Sequence, residues 1–167
     1  MKWSKTTAAL LMLALASLSS TSSAFATPDS GDDRQVVGRG AVGPYQTGPG
    51  AFQFDGQNIQ LALKNATDVA VVHGTMAPGG TLGWHSHPDV VFVTVSEGEM
   101  TLYDAHDPGC TPYVVHAGEA FVEPAGLVHV ARNESTTDRV SWYAIHIGVP
   151  SAAATSVDEP YPGACPS

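Results

Sequence analysis

Three histidines are the residues of this chain whose spacing best suits a metal site. His85 and His87 are separated by one residue, and on a β-strand the residues i and i+2 point to the same face. Both imidazoles can therefore converge on one point inside a barrel. His129 lies much further along the chain, and the fold must bring it in. Three neutral imidazoles on rigid strands suit one divalent first-row metal ion, namely Fe, Mn, Ni, Cu or Zn.

Residues 51–150 are predicted to be all-β. Runs rich in Val, Ile, Tyr, Phe and Thr alternate with turn sequences such as Pro78-Gly79-Gly80, at the spacing of roughly 8 to 12 residues that is typical of barrels and sandwiches. The predicted strands are 69–76, 90–95, 100–104, 113–116, 120–122 and 140–147. These strands are expected to form the scaffold that positions the histidines.

The histidines also occupy the positions of two sequence motifs, G(X)5HXH(X)3-4E(X)6G and G(X)5PXG(X)2H(X)3N. The matching residues are Gly79, His85, His87 and Gly98 for the first motif, and Gly118, Pro124, Gly126, His129 and Asn133 for the second. In these motifs the chain resembles the cupin family over about residues 60–150. The resemblance implies a single double-stranded β-helix, a small jelly-roll barrel, with His85, His87 and His129 as metal ligands. The alternative is that the histidines fill the barrel of a metal-free cupin.

The first motif departs from the family at one position. The glutamate ligand of the family should fall seven residues before Gly98, where this chain has Val91. Val91, Val93 and Val95 would share the inward face of one strand and make that wall apolar. Without the carboxylate, more coordination positions stay open for water, oxygen or a substrate, and affinity for hard ions falls. The arrangement resembles an oxygen-using subset of the family, which includes cysteine dioxygenase and diketone dioxygenases.

Three further residues are weaker candidates for a catalytic role. His146 alternates with Ile145 and Ile147 in the last predicted strand, so it can face the barrel interior as a proton shuttle or substrate contact. A structural histidine is the favoured interpretation. Glu123 could replace the missing carboxylate as a general base, although a surface carboxylate is the favoured interpretation. Tyr103 lies near the motifs and is the third candidate.

The remaining segments set the domain organisation. Residues 1–26 have a positively charged start, a short apolar core and an A-x-A sequence that ends at Ala26, which predicts a cleaved signal peptide and a secreted or periplasmic protein. Residues 27–50 are polar and rich in Gly, Asp and Pro, as in a flexible linker or arm. Residues 51–150 form the barrel, and residues 151–167 are an irregular tail.

The two cysteines predict a disulfide, and the charge of the chain argues against one class of partner. Cys110 and Cys165 are the only two cysteines, and in an exported protein a disulfide between them is expected. The chain has 7 Lys and Arg against 16 Asp and Glu, which argues against a nucleic-acid partner. No membrane anchor is expected. Asn65 and Asn133 match glycosylation sequons, and their modification stays open, as does a homodimer.

These observations favour a secreted, metal-binding cupin that acts as an oxidoreductase. A dioxygenase-like reaction on a small organic molecule is the first hypothesis, with the valine wall against an apolar or aromatic part of the substrate. A non-catalytic metal- or ligand-binding cupin is one alternative. A cupin isomerase or lyase is another, although it needs a general base.

Overall fold

The computed structural model describes residues 26–41, 50–54, 57–61, 68–150, 153–163 and 165–166. Within these ranges the chain forms twelve β-strands and no helix, which confirms the all-β prediction. The strands are β1 (Ser30–Ala41), β2 (Gly50–Phe54), β3 (Gln57–Leu61), β4 (Asp68–Thr81), β5 (His85–Ser86), β6 (Val90–Glu97), β7 (Glu99–Asp104), β8 (Tyr113–His116), β9 (Ala120–Glu123), β10 (His129–Arg132), β11 (Val140–Val149) and β12 (Val157–Asp158).

Two predictions from the sequence fall outside the described part of the chain. The predicted signal peptide lies there except for Ala26, and so does the sequon at Asn65. Across the described residues, no helix has the length and apolar character needed to cross a membrane.

Ten strands form one antiparallel sheet that curls into a nearly closed barrel. The strand order is β12-β5-β10-β4-β11-β6-β9, with β1 paired to β4, and β7 paired to both β10 and β8. Strands β2 and β3 form a separate hairpin. The order places β5, which begins at His85, next to β10, which begins at His129. Strands from the two sequence motifs therefore line one interior.

The alternation of side chains along β6 builds the inner wall of the barrel. Val91, Val93 and Val95 are buried, whereas Phe92 between them is 39% exposed. The valine wall is thus present as predicted. It packs into a core cluster whose other buried members are Val72, Met76, Met100, Leu102, Val115, Ala131, Val140, Trp142 and Ala144. This burial of apolar surface is the main favourable term for the fold.

Strand β1 differs from the prediction, which placed its residues in a linker or arm. It pairs antiparallel with β4 from Ser30, opposite Thr81, to Ala41, opposite Asp68. Nearly all of its residues are exposed, including Val36 and Val37. Because neither face is buried, the sequence has no alternating apolar pattern there. Backbone pairing with β4, rather than burial, holds the segment in place.

The predicted turn at Pro78-Gly79-Gly80 is also absorbed into a strand. These residues belong to β4, which runs on to Thr81. The pairing with β1 is irregular here, since Ser30 lies opposite Thr81 and Asp32 opposite Met76. Gly79 has a φ of 72°, as a bulge often requires. The turn residues therefore mark an irregularity within β4.

The tail folds back onto the barrel instead of being wholly irregular. Strand β12 pairs with β5, with Asp158 opposite His85. The predicted disulfide between Cys110 and Cys165 is present. Trp84 is fully buried against Cys165 and Val130 in a second apolar cluster outside the barrel core. The segment that carries the first two motif histidines is thereby covered by the end of the chain.

Candidate metal centre

The structure brings the three motif histidines together inside the barrel. His85 opens β5, His87 follows that strand, and His129 opens β10 directly opposite His85. One ring nitrogen from each residue lies within 4.8 Å of the other two. All three side chains are buried. Their geometry is that of a group able to hold a single metal ion.

Backbone carbonyls fix which nitrogen of each ring faces this centre. The Nδ1 atom lies 2.9 Å from the Gly83 carbonyl oxygen in His85, 2.7 Å from that of Thr155 in His87, and 3.0 Å from that of Leu127 in His129. A carbonyl can only accept, so each Nδ1 carries the proton and donates it. Each Nε2 is left with a free lone pair. Metal-binding histidines in proteins are oriented in this way by their outer neighbours.

A buried carboxylate lies beside two of these nitrogens. Glu123 is 7% exposed, which corrects its favoured interpretation as a surface residue. Its Oε2 lies 3.1 Å from His87 Nε2, and its Oε1 lies 3.0 Å from His129 Nε2. The second pair does not meet hydrogen-bond geometry, and His129 Nε2 is a buried polar atom without a hydrogen-bond partner. One buried carboxylate thus contacts two of the three imidazole nitrogens, an arrangement that a cation would stabilise.

Burial and neighbouring groups shift the acidity of these side chains. Burial, and then the nearby His129 and His87, lower the pKa of His85 to about 3. Burial alone would raise the pKa of the Glu123 carboxyl, but contact with His129 and His87 holds it well below its usual range. Burial alone would lower the pKa of His129, but contact with Glu123 raises it above its usual value. The Glu123 carboxyl is therefore ionised, and its negative charge faces the imidazoles of His87 and His129.

A small cavity adjoins the histidines. It has a volume of about 40 Å³ and reaches His85, His87 and Glu123. Its other walls are mostly apolar, with Arg34, Thr155 and Ser156 among the polar residues; the apolar lining is Val72, Leu82, Val93, Met100, Ala131, Trp142 and Ala144. A space of this size holds only a few water-sized molecules.

His146 faces this cavity, as strand alternation predicted. It is buried and lines the same cavity as His85 and His87, and Ile145 beside it is 40% exposed. Its Nδ1 lies 3.3 Å from Oδ2 of the buried Asp89, although neither atom meets hydrogen-bond geometry. His146 is thus a buried, cavity-lining residue with a carboxylate close to its ring, and its role as a proton shuttle, substrate contact or structural histidine stays a prediction.

Tyr103, the third weaker candidate, lies elsewhere. It lines a wider groove of about 330 Å³ that also reaches Glu123 and His129. Its hydroxyl lies 3.4 Å from a Glu134 carboxylate oxygen. Partial burial, and then the charge of Glu134, raise the pKa of Tyr103. Tyr103 is absent from the lining of the smaller cavity within the described residues.

Asn133 of the second motif has a structural role. It is 1% exposed, and its Nδ2 donates to the carbonyl oxygens of Met76, Ala77 and Asp138. In the folded protein this amide is inaccessible to a glycosylating enzyme.

Two contributions to the site were missed by reasoning from the sequence. Arg34 comes from β1, which was predicted as a linker or arm, and Thr155 comes from the tail. Arg34 is paired with Asp29 and Asp32 near the cavity. Neither residue belongs to a motif, and only the pairing of the two terminal segments with the barrel places them there.

A family model matches the part of the chain that carries the site. The family model "Cupin domain" matches residues 72–146. No curated protein matches the chain. Among solved structures, the chain is similar to a cupin-like protein from Thermotoga maritima, with 17% identity and a TM-score of 0.46 over 55% of this chain and 65% of that one.

Two further solved structures match the chain with TM-scores in the same range. The polyketide cyclase RemF from Streptomyces resistomycificus has 20% identity and a TM-score of 0.42, over 47% of this chain and 54% of that one. An oxalate oxidase has 32% identity and a TM-score of 0.42, over 50% of this chain and 44% of that one. The matched part thus spans less than two thirds of each of these proteins. The barrel, the two motifs and the match to the cupin family model support a cupin domain over residues 72–146 of this chain.

Proposed function

We propose that this protein binds one divalent transition metal ion and acts as an oxidoreductase of the dioxygenase type on a small organic molecule. The observation that supports this most directly is the orientation of three Nε2 lone pairs toward one buried point, each set by a carbonyl behind the ring. A metal ion held there would supply Lewis-acid and redox chemistry at coordination positions left open to a small ligand.

The residues of the chain have separate roles in this proposal. His85, His87 and His129 hold the metal. Val93 and the other apolar side chains of the cavity exclude water and contact the apolar part of the substrate. His146 lines the same cavity and would touch the substrate directly, with the Asp89 carboxylate 3.3 Å from its Nδ1. This arrangement restricts the substrate to a small molecule.

A non-catalytic cupin that binds a metal or a small ligand is the second candidate. The observation that favours it is the size of the cavity, which at about 40 Å³ leaves little room for a substrate beside a metal ion. Both candidates require the three histidines. They differ in whether turnover accompanies binding.

Oxygen consumption separates the two candidates. The metal-stripped protein would be loaded in turn with Fe, Mn, Ni, Cu or Zn and supplied with small phenols, diketones and thiols. The oxidoreductase proposal expects uptake with at least one combination, its loss in His129→Ala, and its retention in His116→Ala, which changes an exposed histidine. No uptake with any combination would reject the oxidoreductase in favour of the binding protein.

We also propose that the protein acts outside the cytoplasm. The support is the signal-like sequence that ends at Ala26, and a disulfide is typical of oxidising compartments. N-terminal sequencing of protein recovered from the periplasm or medium of the native host should give Thr27 as the first residue. Intact residues 1–26 on protein found only in the cytoplasm would contradict this.

A further inference from the structure

We propose that Glu123 supplies a fourth, carboxylate ligand to the metal held by His85, His87 and His129. It would do so from the strand next to the one on which the family motif places its glutamate. This inference rests on the proposed metal-binding function, and it adds a ligand that the motif does not predict.

Strand register places Glu123 beside the vacant motif position. Val91, where the family has glutamate, lies opposite Glu123 of β9 on one side and opposite His146 of β11 on the other. Residues directly opposite each other in an antiparallel pair share a face, with Cβ atoms about 4.5–5.5 Å apart. A carboxylate at residue 123 therefore enters the barrel one strand away from residue 91, on the same level and face.

The contacts of the carboxylate match those of a ligand. Its two oxygens lie 3.1 Å from His87 Nε2 and 3.0 Å from His129 Nε2, the two nitrogens that carry the free lone pairs. A glutamate this buried is rare unless it is paired, and burying an ionised carboxylate without a counter-charge is costly. A cation shared between Glu123 and the imidazoles would compensate for that charge.

The proposal changes which metals the site should prefer. Three imidazoles alone favour the later first-row metals, whereas a carboxylate oxygen adds affinity for harder ions such as Mn²⁺. Val91 then keeps this wall of the barrel apolar, while Glu123 supplies the carboxylate ligand from the neighbouring strand. Affinity for Mn²⁺ relative to Cu²⁺ becomes the property most sensitive to Glu123.

Metal affinity can be measured directly on the full chain. Chelator competition with Mn²⁺ and with Cu²⁺ would compare the parent protein with Glu123→Gln, which keeps the shape of the side chain and removes its charge. We expect Mn²⁺ affinity to fall at least about tenfold, with a smaller loss for Cu²⁺. Glu99→Gln, which removes an exposed carboxylate from β7, is the matched control and should bind both ions as the parent does.

A relocated carboxylate tests the geometry. Glu123→Val should lose Mn²⁺ affinity, and the double variant Val91→Glu, Glu123→Val should regain most of it because the carboxylate returns to the same face one strand away. Parent-like Mn²⁺ binding in Glu123→Gln, while His129→Ala loses the metal, would overturn this inference and leave the proposed metal site intact. A double variant no better than Glu123→Val would also overturn it. If His129→Ala also binds Mn²⁺ as the parent does, both this inference and the proposed three-histidine metal site would be overturned.

Discussion

At the scale of single residues, the orientation of the imidazoles comes from two different sources. His85 and His129 each donate to the carbonyl two residues earlier, at Gly83 and Leu127, so a local backbone pattern sets both rings. His87 instead donates to Thr155 in the tail. Two of the three histidines are thus oriented by backbone close by in the sequence, and the third depends on a distant segment.

The low pKa of His85 predicts how the metal-free protein responds to acid. Its folded-state pKa of about 3 lies below the unfolded value near 6.5, so between these values the unfolded chain binds a proton that the folded chain does not. Stability is therefore lost as the pH falls below 6.5. As the pH falls from 7 to 5, the protonation of this residue in the unfolded chain should lower the free energy of unfolding by about 2 kcal/mol.

Urea denaturation of metal-stripped protein at several pH values would measure this loss. The His85→Gln variant should lose less stability than the parent between pH 7 and pH 5. The His106→Gln variant, which changes an exposed histidine, should follow the parent. If the free energy of unfolding falls equally with pH in His85→Gln and in the parent, His85 is not held neutral in the folded protein.

The three histidines could be identified from residue types and spacing, whereas Glu123 could be named only as a weaker candidate for a general base. The sequence alone does not show that its side chain is buried. Its burial depends on the pairing of β9 with β6, and the register of two strands distant in sequence is not specified by either strand alone. The same reason explains why the contact between Asp89 and His146 was missed.

At the scale of elements, the strands with one buried face are the ones that the sequence predicts well. Strands β6 and β11 alternate buried and exposed residues along most of their length, and both were predicted to within two residues at each end. Strand β1 has no buried face and was missed. Strands β5 and β10, of two and four residues, are too short for an alternating pattern to emerge.

The turn between β6 and β7 depends on Gly98. Its φ is 76°, and a Cβ added there would lie 2.3 Å from the Arg139 carbonyl oxygen. Gly79 has a similar φ of 72°, but an added Cβ would meet nothing within 4 Å. Alanine in a left-handed conformation costs roughly 1–2 kcal/mol, so Gly79→Ala should lose about that much stability. Gly98→Ala should lose clearly more because the backbone must also shift.

The difference between the two alanine variants, measured by urea denaturation under identical conditions, reports the steric clash alone. The Gly79→Ala variant serves as the control for conformational strain. Equal losses in the two variants would show that the β6–β7 turn relaxes without cost.

At the scale of the whole molecule, the C-terminal tail supports the metal centre. Thr155 orients His87, Val157 and Asp158 pair with β5, and Glu159 accepts a hydrogen bond from Ser86. The disulfide from Cys110 to Cys165 anchors the end of this tail. The tail thus holds the segment that carries His85 and His87 in place, although it has little core of its own.

Removal of the disulfide should therefore affect both stability and metal binding. The bond closes a loop with a sequence separation of 55 residues, worth about 4 kcal/mol in the chain-entropy model. The Cys110→Ser, Cys165→Ser variant should melt at a lower temperature. It should also bind metal more weakly than the parent, because the Thr155 carbonyl is less firmly held. Calorimetry and chelator titration would measure the two effects, and unchanged metal affinity would show that the tail orients His87 without the disulfide.

The central claim is that His85, His87 and His129 hold one metal ion, and metal analysis of the purified protein tests it most directly. Protein prepared without added metal would be assayed by elemental mass spectrometry, beside a variant with all three histidines changed to alanine. The prediction is about one transition-metal ion per parent chain and almost none in the variant, with the β-sheet circular dichroism of both preserved. Equal metal content in the folded variant and the parent would contradict the claim.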